Sequence, residues 1–499
     1  MYYERQAKLK VSFKKSDSKI HIDAPPSKSI YHRELIVRFL LGDAVHLDPS
    51  DDDSDDVLAT KAVLSSLNAA VIRGYSSSNN NNNCPDNSDS SNNSNFPDNS
   101  DSSNNSNFPD NSDSSNNSNF PDNSGRPSTF SSSDNPDGLE DVILPCNESG
   151  STLRFMIPVA AAYLLGQGRR VPGVKRLIFT TAGRLFDRPL DELEAALSPH
   201  GITIEKNSET RTIIVSGEMT PGIYTIDGGV SSQYISGLIM ALGLFAEKCE
   251  ISVTGTIKSV HYIELTEDVL KKYGCETQKN GNVYYPACTG YRGIDGSMLI
   301  NPSDEYTVEG DWSNGAFLLC LKEWADIEVG NLNPESRQGD RAITNFLGKV
   351  HSVRNSQPSS DENEFTFDCN DIPDIAPYMA VAAAFTFDKT VFTGISRLRI
   401  KESDRVKAVR EQLDKAGIKT EETEDSLTVF GHEMYLKAFR NSEDFISNEP
   451  ELSLSSYHDH RMAMCAILIS VILGVTIELD DIDCINKSFP QLRNYLDIR

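Results

Sequence analysis

The chain has 499 residues, a formal net charge of −26 and 38% hydrophobic residues. That length holds two or three domains with sizeable cores. The charge argues against general affinity for nucleic acid or an anionic membrane surface, so any anion site must be a local basic pocket. Nine cysteines, at 84, 146, 249, 275, 288, 320, 369, 465 and 484, form no CxxC pair and no regular framework. Scattered and odd in number, they fit reduced thiols in a cytosolic protein. MYYERQAKLK at the N-terminus carries no secretory signature. The longest nearly uncharged run, Met462 to Ile477, is shorter than the roughly 20 residues of a membrane span. A soluble cytoplasmic protein is expected.

In chain order, DAPPSKSIYHRELIVRFL (23–40) turns from proline-broken chain into a helical run, with Leu35, Ile36, Phe39 and Leu40 on one face. Ser27, Lys28 and Ser29 stand at its start, and Arg33 shares a face with Ser29. AVIRGYSS (70–77) reads as a strand and leads into an Asn/Ser/Asp-rich insert at 75–138. There the dodecamer NSDSSNNSNFPD occurs three times in succession, at 87–98, 99–110 and 111–122. One Phe per repeat buries too little apolar area to offset chain entropy, so the insert is expected to be disordered. A stacked solenoid is the alternative, and it needs more apolar residues per repeat. Residues 75–139 contribute −8 and leave about −18 to the rest of the chain.

LEDVILPC (139–146) reads as a strand after the insert. The strand-like segments VKRLIFTTA, TRTIIVSG, CEISVTG, TVFTG and VTIEL follow along the chain. Interspersed are helical RPLDELEAALSPHG, SSQYISGLIMALGLFAEKC, HYIELTEDVLKKYG, SDRVKAVREQLDKAG and DHRMAMCAILISVILG, several closing on glycine. This is an α/β pattern. No GxGxxG follows a strand and no GxxxxGK[ST] loop is present, which excludes the simple nucleotide-binding readings.

Several helix starts repeat the theme of the first: NESGSTLRF, GGVSSQYISG, RIKESDRVKAV and YHDHRMAM, with NKSFP adding Lys487. Helix N-termini offer unpaired N–H groups and the positive end of a dipole to phosphate or carboxylate. Taken singly, each Ser or Asp there is an ordinary cap, as is Asp374 in DIPDIAPYMA. An i,i+4 pair such as Lys401 and Arg405 is ordinarily a solvated face. His458-x-His460 lacks the partner set of a metal site and reads as hydrogen-bonding or core.

The whole set stands in one order along one chain: PPSKSIYHR, SDDV, ESGSTLRF, DRPLDELEAAL, SSQYISGL, VEGDWSNGAFLL, IPDIAPYMA, RLRIKESDR, YHDHRMAM and NKSFP. On these residues the chain resembles the 5-enolpyruvylshikimate-3-phosphate synthases of the enolpyruvyl transferase family, from about Ala24 to the C-terminus apart from the insert. KESDR with DHRMAM is the specific pair. The UDP-N-acetylglucosamine enolpyruvyl transferases share the architecture but lack that pair in this form.

The resemblance implies an α/β, two-domain fold, each domain made of three βαβαββ units with helices inside and sheets outside. The chain would cross between domains near Ala24–Pro26 and Val308–Gly310, giving 25–308 as one lobe and 1–24 with 309–499 as the other. It implies transfer of the enolpyruvyl group of phosphoenolpyruvate to the 5-hydroxyl of shikimate 3-phosphate, releasing phosphate, on the way to the aromatic amino acids. No metal or organic cofactor is implied, and the working unit is expected to be a monomer with these two small-molecule substrates.

By the same resemblance, Ser29, Arg33, Ser231, Ser232, Gln233, Ser259 and Lys401 hold shikimate 3-phosphate. Lys28, Arg188, Arg405, Arg461 and Lys487 reach phosphoenolpyruvate, and Gly150 belongs to the substrate-binding loop. Asp374 takes the hydroxyl proton, Glu402 supplies the carbon proton and Lys28 assists the leaving phosphate. The chain departs from the family pattern at Glu148, where asparagine is frequent, at Phe155, where proline is, and at Arg397, where asparagine is. Two competing readings are a sugar-nucleotide enolpyruvyl transferase and a non-catalytic binding protein. FTTAGRLFDRP lacks the reactive Cys of the first, and all the matched cations and carboxylates are present against the second.

Overall fold

The computed structural model describes residues 8–14, 16, 18–43, 45–80, 140–291, 306–355, 364–440 and 451–499. The dodecamer repeats, and with them the expectation of disorder over 81–138, lie outside the described residues. In order, the elements are β1 (Leu9–Phe13), β2 (Ile20–Asp23), α1 (Lys28–Leu40) and α2 (Asp55–Asn80). Next come β3 (Glu140–Asn147), α3 (Gly150–Leu165), β4 (Val174–Thr181), α4 (Asp191–Leu197), β5 (Ile202–Asn207) and β6 (Thr212–Gly217). They are followed by β7 (Ile223–Asp227), α5 (Ser232–Leu242), β8 (Glu250–Thr254), α6 (His261–Lys272), β9 (Gln278–Asn280) and β10 (Val283–Tyr285). Further on lie α7 (Trp312–Lys322), β11 (Ile327–Gly330), α8 (Ile343–Asn355), β12 (Glu364–Asp368), α9 (Ala376–Ala384) and β13 (Lys389–Thr393). The rest are α10 (Arg405–Lys415), β14 (Thr420–Glu422), β15 (Ser426–Phe430), α11 (Glu433–Arg440), β16 (Glu451–Ser453), α12 (His460–Leu473), β17 (Thr476–Leu479) and β18 (Leu496–Ile498).

One βαβαββ plan recurs. β3 lies parallel to β4 across α3, β4 pairs antiparallel with β6, and β5 closes the edge on β6, giving the order β3-β4-β6-β5. The same order returns as β7-β8-β10-β9 and β12-β13-β15-β14. It returns again as β16-β17-β1-β18, where β1 from the start of the chain fills the third place. Strands alternate buried and exposed, as in Ile202 and Ile204 against Thr203 and Glu205. One face of each sheet therefore meets the core and the other meets solvent. Of the helices between strands, α3, α9 and α12 are apolar nearly all round and buried along almost their whole length. Helices inside and sheets outside follow from that composition.

Two hydrophobic cores result. One gathers residues from Leu35 to Tyr291; the other joins Val11, Ile22 and Ala24 to residues from Trp312 to Leu496. The chain passes between them in two segments that run side by side. Ser27 N–H donates to Glu309 O at 2.7 Å, Asp311 N–H donates to Pro25 O at 2.8 Å, and Pro26 bridges Gly310.

One expected element is corrected. AVIRGYSS is not a strand, and residues 75–80 do not begin an irregular insert, because α2 continues through both to Asn80. Val57, Val63, Leu64, Leu67 and Ala70 keep its inner face buried. Extending a helix already held this way costs little per residue. Gly74, inside that stretch, is required by packing: a Cβ there would lie 2.6 Å from Pro172 O.

Candidate active site

The helix starts converge on one cleft between the two cores. Lys28, Ser29, Arg33, Gly150, Arg188, Ser231, Ser232, Gln233, Ser259, Asp374, Lys401, Glu402, Arg405 and Arg461 all line it. Lys487 sits immediately behind the wall, its Nζ 3.7 Å from Glu402 Oε1.

The local structure separates capping from presentation. Ser149, Ser231, Asp404 and Asp459 accept hydrogen bonds from backbone N–H groups of α3, α5, α10 and α12, so the ordinary-cap reading holds for them. Their neighbours face the cleft. At α1 the cap is not local: Ser27 Oγ donates to Gln338 Oε1 at 2.8 Å, and Lys28 N–H donates to Asp311 Oδ2 at 3.2 Å. Asp374 does not cap α9. It lies in the 3₁₀ turn before it and turns its carboxylate to Arg405 at 2.8 Å and Lys401 at 3.2 Å. Gly150 permits the approach of a cation, since a Cβ there would lie 2.3 Å from Arg188 Nη1.

Arg33 is buried and donates to Thr266 Oγ1 at 2.6 Å, Ser236 Oγ at 3.3 Å and Tyr262 O at 2.6 Å. Its partners are neutral, and burial pulls it down to about 9; a bound dianion would supply the missing counter-charge. Arg461 donates to Ser313 Oγ at 2.8 Å, while its Nε and Nη1 have no hydrogen-bond partner among the described residues. Arg405 is clamped by Asp374, by Glu402 at 2.7 Å and by Asp459 at 2.8 Å. Arg188 reaches Glu402 at 3.2 Å. Such fixed guanidinium groups suit bidentate contact with carboxylate and phosphate.

Both candidate acid–base carboxylates are held well below the usual carboxylate range. For Asp374 the largest single influence is burial, which raises it, but Lys401, Arg461 and Arg405 together outweigh that. Glu402 follows the same pattern, with burial opposed by Arg405, Arg188 and Lys487. Lys401 is lowered, chiefly by burial.

Sequence reading missed the partners. Asp56 holds Lys28 Nζ at 2.7 Å, and Asp459, fully buried, anchors Arg405. Ser313 and Asp340 stand behind Arg461. Arg397 donates to Ser259 Oγ at 3.2 Å across the cleft. SDDV and YHDHRMAM contained the first two, but nothing in a linear sequence pairs Asp459 with a residue 54 positions away. The two histidines of YHDH part company. His458 pairs with Asp481 at 2.8 Å, whereas His460 is buried in the cleft wall without a hydrogen-bond partner among the described residues.

Two lobes of repeated βαβαββ units around a cationic cleft define an enolpyruvyl-transferase architecture. Solved structures agree: EPSP synthase from Acinetobacter baumannii superposes over 98% of this chain and 100% of its own, with TM-score 0.58 and 17% identity. The enolpyruvyl transferase NikO from Streptomyces tendae gives 0.55 at 12% identity, covering 99% of both chains. The family model for EPSP synthase (3-phosphoshikimate 1-carboxyvinyltransferase) matches residues 122–496, and the chain belongs to that family. A 3-phosphoshikimate 1-carboxyvinyltransferase of Clostridium beijerinckii is 28% identical over 94% of this chain and 92% of its own. One from Methanococcoides burtonii is 32% identical over 72% and 79% respectively.

Proposed function

We propose that this cleft carries out its family's reaction, moving the enolpyruvyl group of phosphoenolpyruvate to the 5-hydroxyl of shikimate 3-phosphate and releasing phosphate. The observation that carries the residue assignment is the convergence of cations from both lobes on Asp374 and Glu402. Arg33, Ser29, Ser231, Ser232, Gln233, Ser259 and Lys401 take shikimate 3-phosphate. Lys28, Arg188, Arg405, Arg461 and Lys487 take phosphoenolpyruvate, with Gly150 giving Arg188 its room.

Addition forms a bond from the 5-oxygen to C2 of phosphoenolpyruvate, with Asp374 accepting the hydroxyl proton and Glu402 supplying a proton to C3. Elimination breaks the C2–O bond to phosphate and returns a C3 proton to the protein, with Lys28 at the departing oxygen. Glu402 is a poor acid while Arg405 and Arg188 hold it down. Substrate anions that take those two guanidinium groups remove the attraction and raise its proton affinity. Fixed charges aimed at a multiply anionic intermediate are the largest expected contribution to rate.

The same reading takes 25–308 as one domain and 1–24 with 309–499 as the other, working as a cytoplasmic monomer. No described helix is long and apolar enough to cross a membrane. A coupled assay of phosphate release tests the reading. Release should require phosphoenolpyruvate together with shikimate 3-phosphate, and UDP-N-acetylglucosamine should not replace the acceptor; release with the sugar nucleotide alone would refute it.

A further inference from the structure

Lys487 stands apart from the other cations, because it does not form part of the cleft wall. Its ammonium donates to the Glu148 carbonyl oxygen at 3.0 Å and to Glu148 Oε2 at 3.3 Å. Glu148 follows β3 in the first core, whereas Lys487 closes a 3₁₀ turn in the second, so the pair spans the lobes. The glutamate side chain is 44% exposed and the lysine 8%. The carboxylate is nonetheless seated. Gly183 has a left-handed backbone (φ +51°), and a Cβ there would come 1.7 Å from Glu148 Oε1. The chain thus leaves a notch that this carboxylate fills.

A half-exposed carboxylate swings into water at small cost, whereas a buried ammonium stays where its turn holds it. We propose that Glu148 is an internal competitor for Lys487: its carboxylate occupies the ammonium in the empty cleft, yields it to the incoming anion and returns as phosphate departs. This rests on the reading of Lys487 as a phosphoenolpyruvate cation. The competitor weakens substrate and product phosphate together, trading affinity for release.

The test is steady-state kinetics on the full chain, with phosphoenolpyruvate varied at saturating shikimate 3-phosphate and inorganic phosphate as inhibitor. Glu148→Gln should lower the phosphoenolpyruvate KM and the phosphate inhibition constant together, each by about fivefold, the scale of one part-exposed ion pair. Glu148→Asp withdraws the same charge by one methylene and should shift both in the same direction by less. Lys487→Met should raise the KM, and Glu148→Gln added to it should change nothing further. A KM unchanged or raised in Glu148→Gln overturns the proposal. So does an equal fall in the Lys487→Met background, which would make Glu148 a general source of repulsion. If Lys487→Met itself leaves the KM unaltered, the reading of Lys487 fails, and the proposal goes with it.

Discussion

Asp374 and Glu402 share Arg405 but differ in their other neighbours. Asp374 is held by Lys401, Arg461 and Arg405, and Glu402 by Arg405, Arg188 and Lys487. Asp374→Asn and Glu402→Gln keep size and hydrogen bonding while removing proton uptake. Each should lower kcat by about 10²–10⁴-fold with KM changed far less, measured under saturating cosubstrate. A raised KM with intact kcat would make that residue a binding group. Asp340, behind Arg461, behaves oppositely: burial first, then Asp374, push it up to about 6. A raised carboxylate adds stability that is complete below its unfolded value of about 3.9 and is lost as the pH rises through its folded one. In thermal unfolding, Asp340→Asn should therefore gain on the wild type between about pH 4 and pH 6, the interval those two values bound, and hold level above it. A difference constant with pH would mean that Asp340 is already ionised in the native state.

At the scale of elements, α12 shows how a helix terminus sets a site. Asp459 caps it through Arg461 N–H and also takes Arg405 Nε and Ser403 Oγ, with no exposure of its own. Tyr457 and His458, just before it, both adopt left-handed backbone, with φ of 54° and 53°. Residues of that kind persist only where surrounding contacts over-determine them. Here Ser456 is tied to Asp480 and His458 to Asp481. Asp459→Ala leaves a buried guanidinium short of a partner and should cost on the order of 3 kcal/mol in denaturant unfolding, with activity falling alongside. An effect below about 1 kcal/mol would show that Glu402 and Asp374 suffice to hold Arg405. Such elements were readable in the sequence where periodicity and caps agreed, as in α12 with its left-handed Gly474 at the end. The end of α2 was not, because the β-branched AVIRGYSS stretch reads as a strand while its helix is held by packing, Gly74 included. Lys28, Arg405 and Arg461 were readable because they head helices, whereas Arg188 and Lys487, which end 3₁₀ turns, were carried by the family resemblance. Asp374 and Glu402 came with that resemblance, but the pairings of Asp56, Asp459 and Glu148 did not, since Lys487 and Glu148 lie 339 positions apart.

For the whole molecule, the repeats raise the question of their distance from the chemistry. α2 begins beside the cleft at Asp56, which holds Lys28, and runs to Asn80; β3 returns from Glu140 toward Glu148. At 1.5 Å per residue the helix carries the chain about 36 Å from Asp56 before the repeats begin. Deleting residues 87–122 removes three whole repeats and shortens a connection whose length costs only about 0.6 kcal/mol per doubling. Both kcat and KM should stay within about twofold, and thermal stability should hold or rise slightly. Strong loss of activity in a folded deletion variant would mean that the repeats reach the cleft.

The sheet β16-β17-β1-β18 sets an order of events during synthesis. β1 emerges before every other strand described, yet both of its partners, β17 and β18, follow all the rest. The first core has all its segments in hand by Tyr291 and is free to close while translation continues. The second holds Val11, Ile22 and Ala24 in waiting until Leu496 arrives. A nascent chain therefore carries an open strand edge from the time β1 emerges, with a finished lobe beside it only after Tyr291, and an unpaired edge is exposed to wrong partners throughout that wait.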